Sequence, residues 1–185
     1  MWKKFNEFFH APTLDLSFEP FAFTCNQHIM QVMQARIEDV SELIRLEKEI
    51  YAGKAPWGVE SFESELKKEA NTLYIVVYHQ AMLVAFIGMR LQGQEGHITN
   101  IGVKPAFQRL GIGTFLLKLM TQIAYKNHAV QMTLEVRTYN LKAQEMYQRF
   151  GFVPNFIRKN YYLQEKKDAL SMIKRLNIQE QEEVN

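Results

Sequence analysis

Apolar residues recur along the chain with two periods, and each change of period marks a new element. Phe21 and Phe23 alternate with small or polar residues into the Asn26-Gln27 pair, which predicts a strand, a tight turn and a second strand ending near Ala35. Asp39, with Glu42 three residues on, has the spacing of a capping box and opens a helix to about Tyr51. Pro56-Trp57 precedes a second helix over 59–70, with acidic residues in its first half and Lys67-Lys68 near its end, as the helix dipole favours. Strands are predicted over 73–78, 82–91 and 97–103. The strongest helical signal follows, where Ile112, Phe115, Leu116, Leu119, Met120 and Ile123 form a continuous stripe. A strand over 131–137 leads to a helix capped by Asn140 and closed after Phe150 by Gly151. Two last strands, 152–163 and 169–176, are joined by a polar turn over 164–168. Helices inserted among strands predict a mixed α/β sheet.

The run from Ala70 to Met89 has no Asp, Glu, Lys or Arg, and its length would suit a bilayer span. Tyr78-His79-Gln80 interrupts it, so it reads as two buried strands. Residues 1–34 form an aromatic-rich extension holding Phe5, Phe8, Phe9, Phe18, Phe21 and Phe23, six of the thirteen phenylalanines. Trp2, Phe5, Phe8 and Phe9 fall on one helical face. The extension reads as added core or a homodimer contact; two lysines are thin support for a membrane-surface helix. Asn6, Glu7 and His10 leave no apolar core for a signal peptide.

With 185 residues and 47% hydrophobic content, the chain can build a sizeable core, which excludes the disordered and low-complexity classes. Cys25 is the single cysteine, read as a small buried hydrophobe rather than a reactive thiol, and five scattered histidines suggest no metal site. A metal-free, cytoplasmic protein is expected.

The segment with chemical character is Pro105-Ala106-Phe107-Gln108-Arg109-Leu110-Gly111-Ile112-Gly113, between a strand and the strongest helix. Glycines there let the backbone turn tightly and leave N–H groups free at the positive end of the helix dipole, a setting for phosphate. No Lys-Ser/Thr pair follows Gly113, and Leu116 stands where a dinucleotide fingerprint needs its third glycine.

The order Gln108-x-x-Gly111-x-Gly113, amphipathic helix, Leu134-Glu135-Val136-Arg137, Asn140, then Met146-Tyr147-x-x-x-Phe150-Gly151-Phe152 resembles the GNAT superfamily of acetyl-CoA-dependent N-acetyltransferases. Pro56-Trp57, Asn100-Ile101-Gly102-Val103 and Arg158-Lys159-Asn160-Tyr161-Tyr162, with Asp168-Ala169 beyond, are similar to its RimI-type branch, whose members acetylate the N-terminal alanine of a small-subunit ribosomal protein. The resemblance spans about residues 30–176. It implies a mostly antiparallel twisted sheet with helices on both faces, a catalytic domain over 35–176 and a polar acidic tail over 177–185.

The resemblance also assigns roles. The main chain of Gln108, Arg109, Leu110, Gly111, Ile112 and Gly113 would hold the coenzyme A pyrophosphate, with Asn140 on the pantetheine. Ile101 and Val103 would line the cofactor, the strand being bulged so that the Val103 N–H faces the acetyl oxygen; Gly102, where the branch often has alanine, would suit that bulge. Glu135 falls at the general-base position and Tyr147 at the general-acid position, where it also meets cofactor. Trp57, Tyr161 and Tyr162 would line the peptide groove. For each there is a plainer alternative: a solvated Glu135 paired with Arg137, Tyr147 as core beside Ala143, Met146 and Phe150, Asn140 as a cap, and aromatic packing for the other three. Tyr139 replaces the branch's usual serine. Lysine, a polyamine or another small amine is the alternative acceptor, and a coenzyme A-binding scaffold without turnover the alternative class. No RNP aromatic pair or basic run suggests RNA.

The formal charge of +2 hides an asymmetry. Residues 1–103 carry nine basic and thirteen acidic side chains, residues 104–175 thirteen and four, and the last ten none and three. The positive excess begins at the glycine loop, which suits a polyphosphate ligand.

Overall fold

The computed structural model describes residues 14–162 and 166–176. Eight strands form one sheet: β1 (Phe21–Cys25), β2 (His28–Gln34), β3 (Thr72–His79), β4 (Met82–Gln92), β5 (Glu95–Val103), β6 (Gln131–Arg137), β7 (Val153–Tyr162) and β8 (Lys167–Arg175). Their spatial order is β1-β2-β3-β4-β5-β6-β8-β7. Every pairing is antiparallel except β5 with β6. That exception follows from the chain path, because α3 (Ile112–Lys126) crosses over between them.

Both faces are covered. Leu73, Ile75 and Val77 of β3 belong to the core beneath α3 and α4 (Leu141–Arg149), whereas Tyr74 and Val76 belong to the core beneath α1 (Val40–Ile50) and α2 (Val59–Leu66). A strand buried on both sides needs apolar residues at every position, which explains the uncharged run across β3 and β4. Among the described residues no helix is long and apolar enough to cross a membrane.

The β1–β2 hairpin turns at Asn26 and Gln27, whose φ values of 46° and 66° suit a tight two-residue connection. Phe23 stacks on Phe115 of α3 at 4.1 Å between ring centroids. Cys25 is a half-buried free thiol packed against the core, and its Sγ donates to the Leu110 carbonyl at 2.9 Å, tying the hairpin to the glycine loop. The predicted helix of Trp2, Phe5, Phe8 and Phe9 and the acidic tail lie outside the described residues, as do residues 164 and 165 of the turn over 164–168.

Three local expectations need correction. No side-chain cap forms at Asp39: its Oδ2 accepts the Arg36 N–H at 2.7 Å and its Oδ1 accepts the Tyr78 hydroxyl, so its oxygens serve the preceding turn and β3. The second helix ends at Leu66 rather than Ala70; Lys67 and Lys68 turn back to bond Glu63 and Glu65. Gly102 is not in a bulge. It pairs in regular register with Phe86, and the irregularity lies between Gly88 and Met89 on β4, leaving Thr99 as the extra residue of β5. A Cβ on Gly102 would lie 2.5 Å from the Phe86 ring and 2.7 Å from Ile50 Cδ1, so glycine is required there by packing.

Candidate active site

β5 and β6 pair only from Glu95 to Ile98 against Gln131 to Leu134. Beyond that point they part, and the sheet opens into a slot between Thr99–Val103 and Glu135–Arg137. Lys104 N–H bonds the Val84 carbonyl, so by strand alternation the N–H groups of Val103 and Ile101 point away from β4, toward the slot. The Val103 carbonyl accepts Gln108 Nε2 at 3.0 Å, tying the glycine loop to the strand end.

That loop enters α3 through two left-handed residues, Arg109 (φ 62°) and Gly111 (φ 86°). The first helical bond of α3 runs from Phe115 N–H to the Gly111 carbonyl, so the amides of Ile112, Gly113 and Thr114 have no helical partner. Gly113 faces Met146 Sδ and Val103 Cγ2, close to both α4 and the slot. A cavity of about 200 Å³ lies alongside, lined by Thr114, Lys142, Glu145, Met146, Arg149 and Phe150. Asn140 caps α4 by accepting the Ala143 N–H at 3.3 Å.

Glu135 is the first residue of β6 past the last paired position. Its side chain is only 4% exposed, which excludes the solvated alternative. Oε2 lies 3.2 Å from His97 Nε2 and 3.5 Å from the Tyr161 hydroxyl, which donates to it, and Oε1 lies 3.1 Å from Arg158 Nε. Burial favours the neutral acid, but the His97 bond and the charges of His97 and Arg158 outweigh it and hold the carboxyl below its usual range.

Tyr147 approaches from the opposite face of the sheet. Its ring is buried against Phe152 at 6.0 Å, and burial, with Tyr51 and Tyr162 nearby, pushes its phenol well above the usual range, so it stays protonated. No hydrogen bond to its hydroxyl is formed among the described residues.

The groove residues are split between two settings. Trp57 packs on Phe62 at 5.3 Å, and with Arg90, His97, Thr99 and Tyr161 it lines a cleft of about 290 Å³ on the Glu135 face. The β7 register slips between Arg158 and Tyr162, and the two tyrosine rings meet edge to face at 5.2 Å. Tyr162 therefore serves a different environment, under the Arg137 guanidinium at 4.3 Å. Arg137 also lies 5.1 Å from the Tyr51 ring centroid. Tyr139 is exposed nearby.

Sequence reasoning missed His97, Arg158 as an ion-pair partner, Tyr51 and Glu47. Glu47 is 2% exposed and accepts the Trp57 N–H at 2.8 Å; burial raises its pKa to about 7. Alternation on β5 could have placed His97 on the Glu135 face, but the register of a parallel pair is not written in either strand. No cluster of metal-ligating side chains occurs among the described residues.

A sheet split beside the unpartnered amides of a helix start offers an open slot next to a ready-made anion site, the setting a phosphate-bearing cosubstrate needs. The family model described as the Acetyltransferase (GNAT) family matches residues 37–152, and the chain belongs to that family. It is an N-acetyltransferase using acetyl-CoA. Among relatives, a Bacillus subtilis protein provisionally named a ribosomal protein bS18-alanine N-acetyltransferase is 32% identical over 141 residues, 76% of this chain and 92% of that one. The N-alpha-acetyltransferase RimI of Mycobacterium tuberculosis is 32% identical over 138 residues, 72% of this chain and 85% of its own. The crystal structure of the Escherichia coli ribosomal-protein-S18-alanine N-acetyltransferase superposes with a TM-score of 0.71 at 25% identity, covering 80% of this chain and 95% of that one.

Proposed function

We propose that this enzyme acetylates the α-amine of protein N-termini beginning with alanine, and that its acceptor is the small-subunit ribosomal protein bS18 named for its relatives. The observation that carries the reading is the Glu135 carboxylate, kept anionic at the mouth of the slot and adjoining the cleft of Trp57 and Tyr161. An α-amine has a pKa of roughly 7.7–8.0, so on the order of a tenth is already neutral at pH 7, against under a thousandth of a lysine near 10.4. A carboxylate is a sufficient base for the first and a poor one for the second.

The residues then divide the reaction. The amides over 108–113 hold the pyrophosphate at the α3 N-terminus, Asn140 meets the pantetheine, and the main chain of Ile101 and Val103 lines the slot, with the Val103 N–H donating to the carbonyl oxygen as it gains charge. The amine nitrogen bonds the thioester carbon, its proton passes to Glu135 directly or through water, and the carbon–sulfur bond breaks. Tyr147 gives its phenolic proton to the departing thiolate. Trp57 and Tyr161 seat the peptide, with Tyr162 packed edge-on against Tyr161 and held under the Arg137 guanidinium. Residues 35–176 supply this machinery.

The test is release of the coenzyme A thiol. It should follow addition of a peptide with a free N-terminal alanine, and should not follow addition of the same peptide blocked at its α-amine and carrying lysine. Release with the blocked peptide alone contradicts the reading, and bound coenzyme A with no release from either supports a scaffold.

A further inference from the structure

With the Glu95 and Glu135 carboxylates ionised, the hydrogen bonds around His97 admit one consistent placement of protons. Thr133 has a single hydroxyl proton and two neighbours at 2.8 Å, Glu95 Oε1 and His97 Nδ1. An ionised carboxylate can only accept, so the proton of Thr133 goes to Glu95. The second Glu95 oxygen accepts from Gln131 Nε2 at 2.6 Å, which fixes that carboxylate as an acceptor on both sides. Thr133 can therefore only accept from His97, and Nδ1 carries hydrogen. On the far side of the ring Nε2 faces Glu135 Oε2 at 3.2 Å. A lone pair there would face a carboxylate, whereas an N–H makes a charge-assisted hydrogen bond.

We infer that His97 is the positioning residue of the candidate base: an imidazolium clamped between Glu135 and the Thr133–Glu95 arm, holding the Glu135 carboxylate anionic and aimed at the cleft. The inference rests on Glu135 acting as base. Arg90, opposite His97 on β4, is bonded to Glu65 of α2. Arg158 and Tyr161 of β7 reach Glu135 itself, but the Arg158 side chain is 49% exposed and solvent screens its charge, whereas that of His97 is 26% exposed. Of the two cations, the more buried one is anchored from behind, as a positioning group needs to be.

Nitrogen-15 NMR of the imidazoles at pH 7, assigned with His97→Gln, tests the protonation directly. Both His97 nitrogens should report bound hydrogen; a neutral tautomer overturns the inference. Kinetics test the role. His97→Gln should lower kcat on the order of tenfold to a hundredfold, leave the acetyl-CoA KM near wild type, and move the acid limb of the kcat profile to higher pH. Imidazole added to His97→Gly should restore part of the rate. An unmoved acid limb with no rescue means His97 is only structural. Full activity in Glu135→Gln would instead remove the base assignment while the NMR still reports on His97, so the two failures are distinguishable.

Discussion

His97 and Glu135 flank the point where β5 and β6 separate, and Nε2 of the one lies 3.2 Å from Oε2 of the other. Strand pairing up to Leu134 fixes both backbones, and the parting of the strands just beyond turns that rigidity into a site: the carboxylate is held by the paired part of the sheet and presented at the open part. A carboxylate on a loop would lack that support.

Glu135→Gln keeps the shape and the hydrogen-bonding reach of the side chain but removes the proposed base. The rate of acetyl transfer should fall roughly a hundredfold or more, with the melting temperature within a few degrees of wild type. Stopped assays with an N-terminal alanine peptide check this, and wild-type turnover would remove Glu135 from the chemistry.

Tyr147→Phe retains the ring that packs on Phe152 and deletes only the hydroxyl. The expected outcome is a fall in kcat of about a hundredfold with acetyl-CoA affinity nearly unchanged. Equal losses in affinity and rate, measured by calorimetry beside the assay, would point to a cofactor contact instead.

Gly111 adopts φ 86° with open space around the position of a Cβ, so conformation rather than crowding demands glycine. Gly111→Val should weaken acetyl-CoA binding by calorimetry while the far-ultraviolet spectrum is preserved. Undiminished binding would separate the loop from the pyrophosphate.

Glu47 gives a pH dependence of stability with a definite sign. Its folded pKa of about 7 stands above the ordinary value of 4.5, so its contribution is fully present below about pH 4.5 and is lost as pH rises through 7. Glu47→Gln keeps an oxygen for the Trp57 N–H and removes the buried charge. The variant should melt above wild type at pH 8, with the gap closing toward pH 5. A gap independent of pH would show that burial does not perturb this carboxyl.

The fold was legible because its signals are local. The α3 stripe, the Asn26-Gln27 turn and the Asn140 cap each depend on neighbours in sequence, and they formed where periodicity placed them. What escaped depends on distant pairing. Gly102 reads as a bulge residue until Phe86 and Ile50 are brought against it, and Asp39 reads as a helix cap until Tyr78 arrives to claim an oxygen. Likewise Glu135 could be assigned from its motif, whereas its partners His97 and Arg158 come from strands whose register only the assembled sheet defines.

A single peptide carrying both a free N-terminal alanine and an internal lysine puts the proposed α-amine acceptor and its rival in direct competition. After incubation with enzyme and acetyl-CoA, fragment-ion mass spectrometry locates the acetyl group. Acetyl is expected on the alanine nitrogen with the lysine unmodified; acetyl on the lysine with the alanine left free would contradict α-amine specificity.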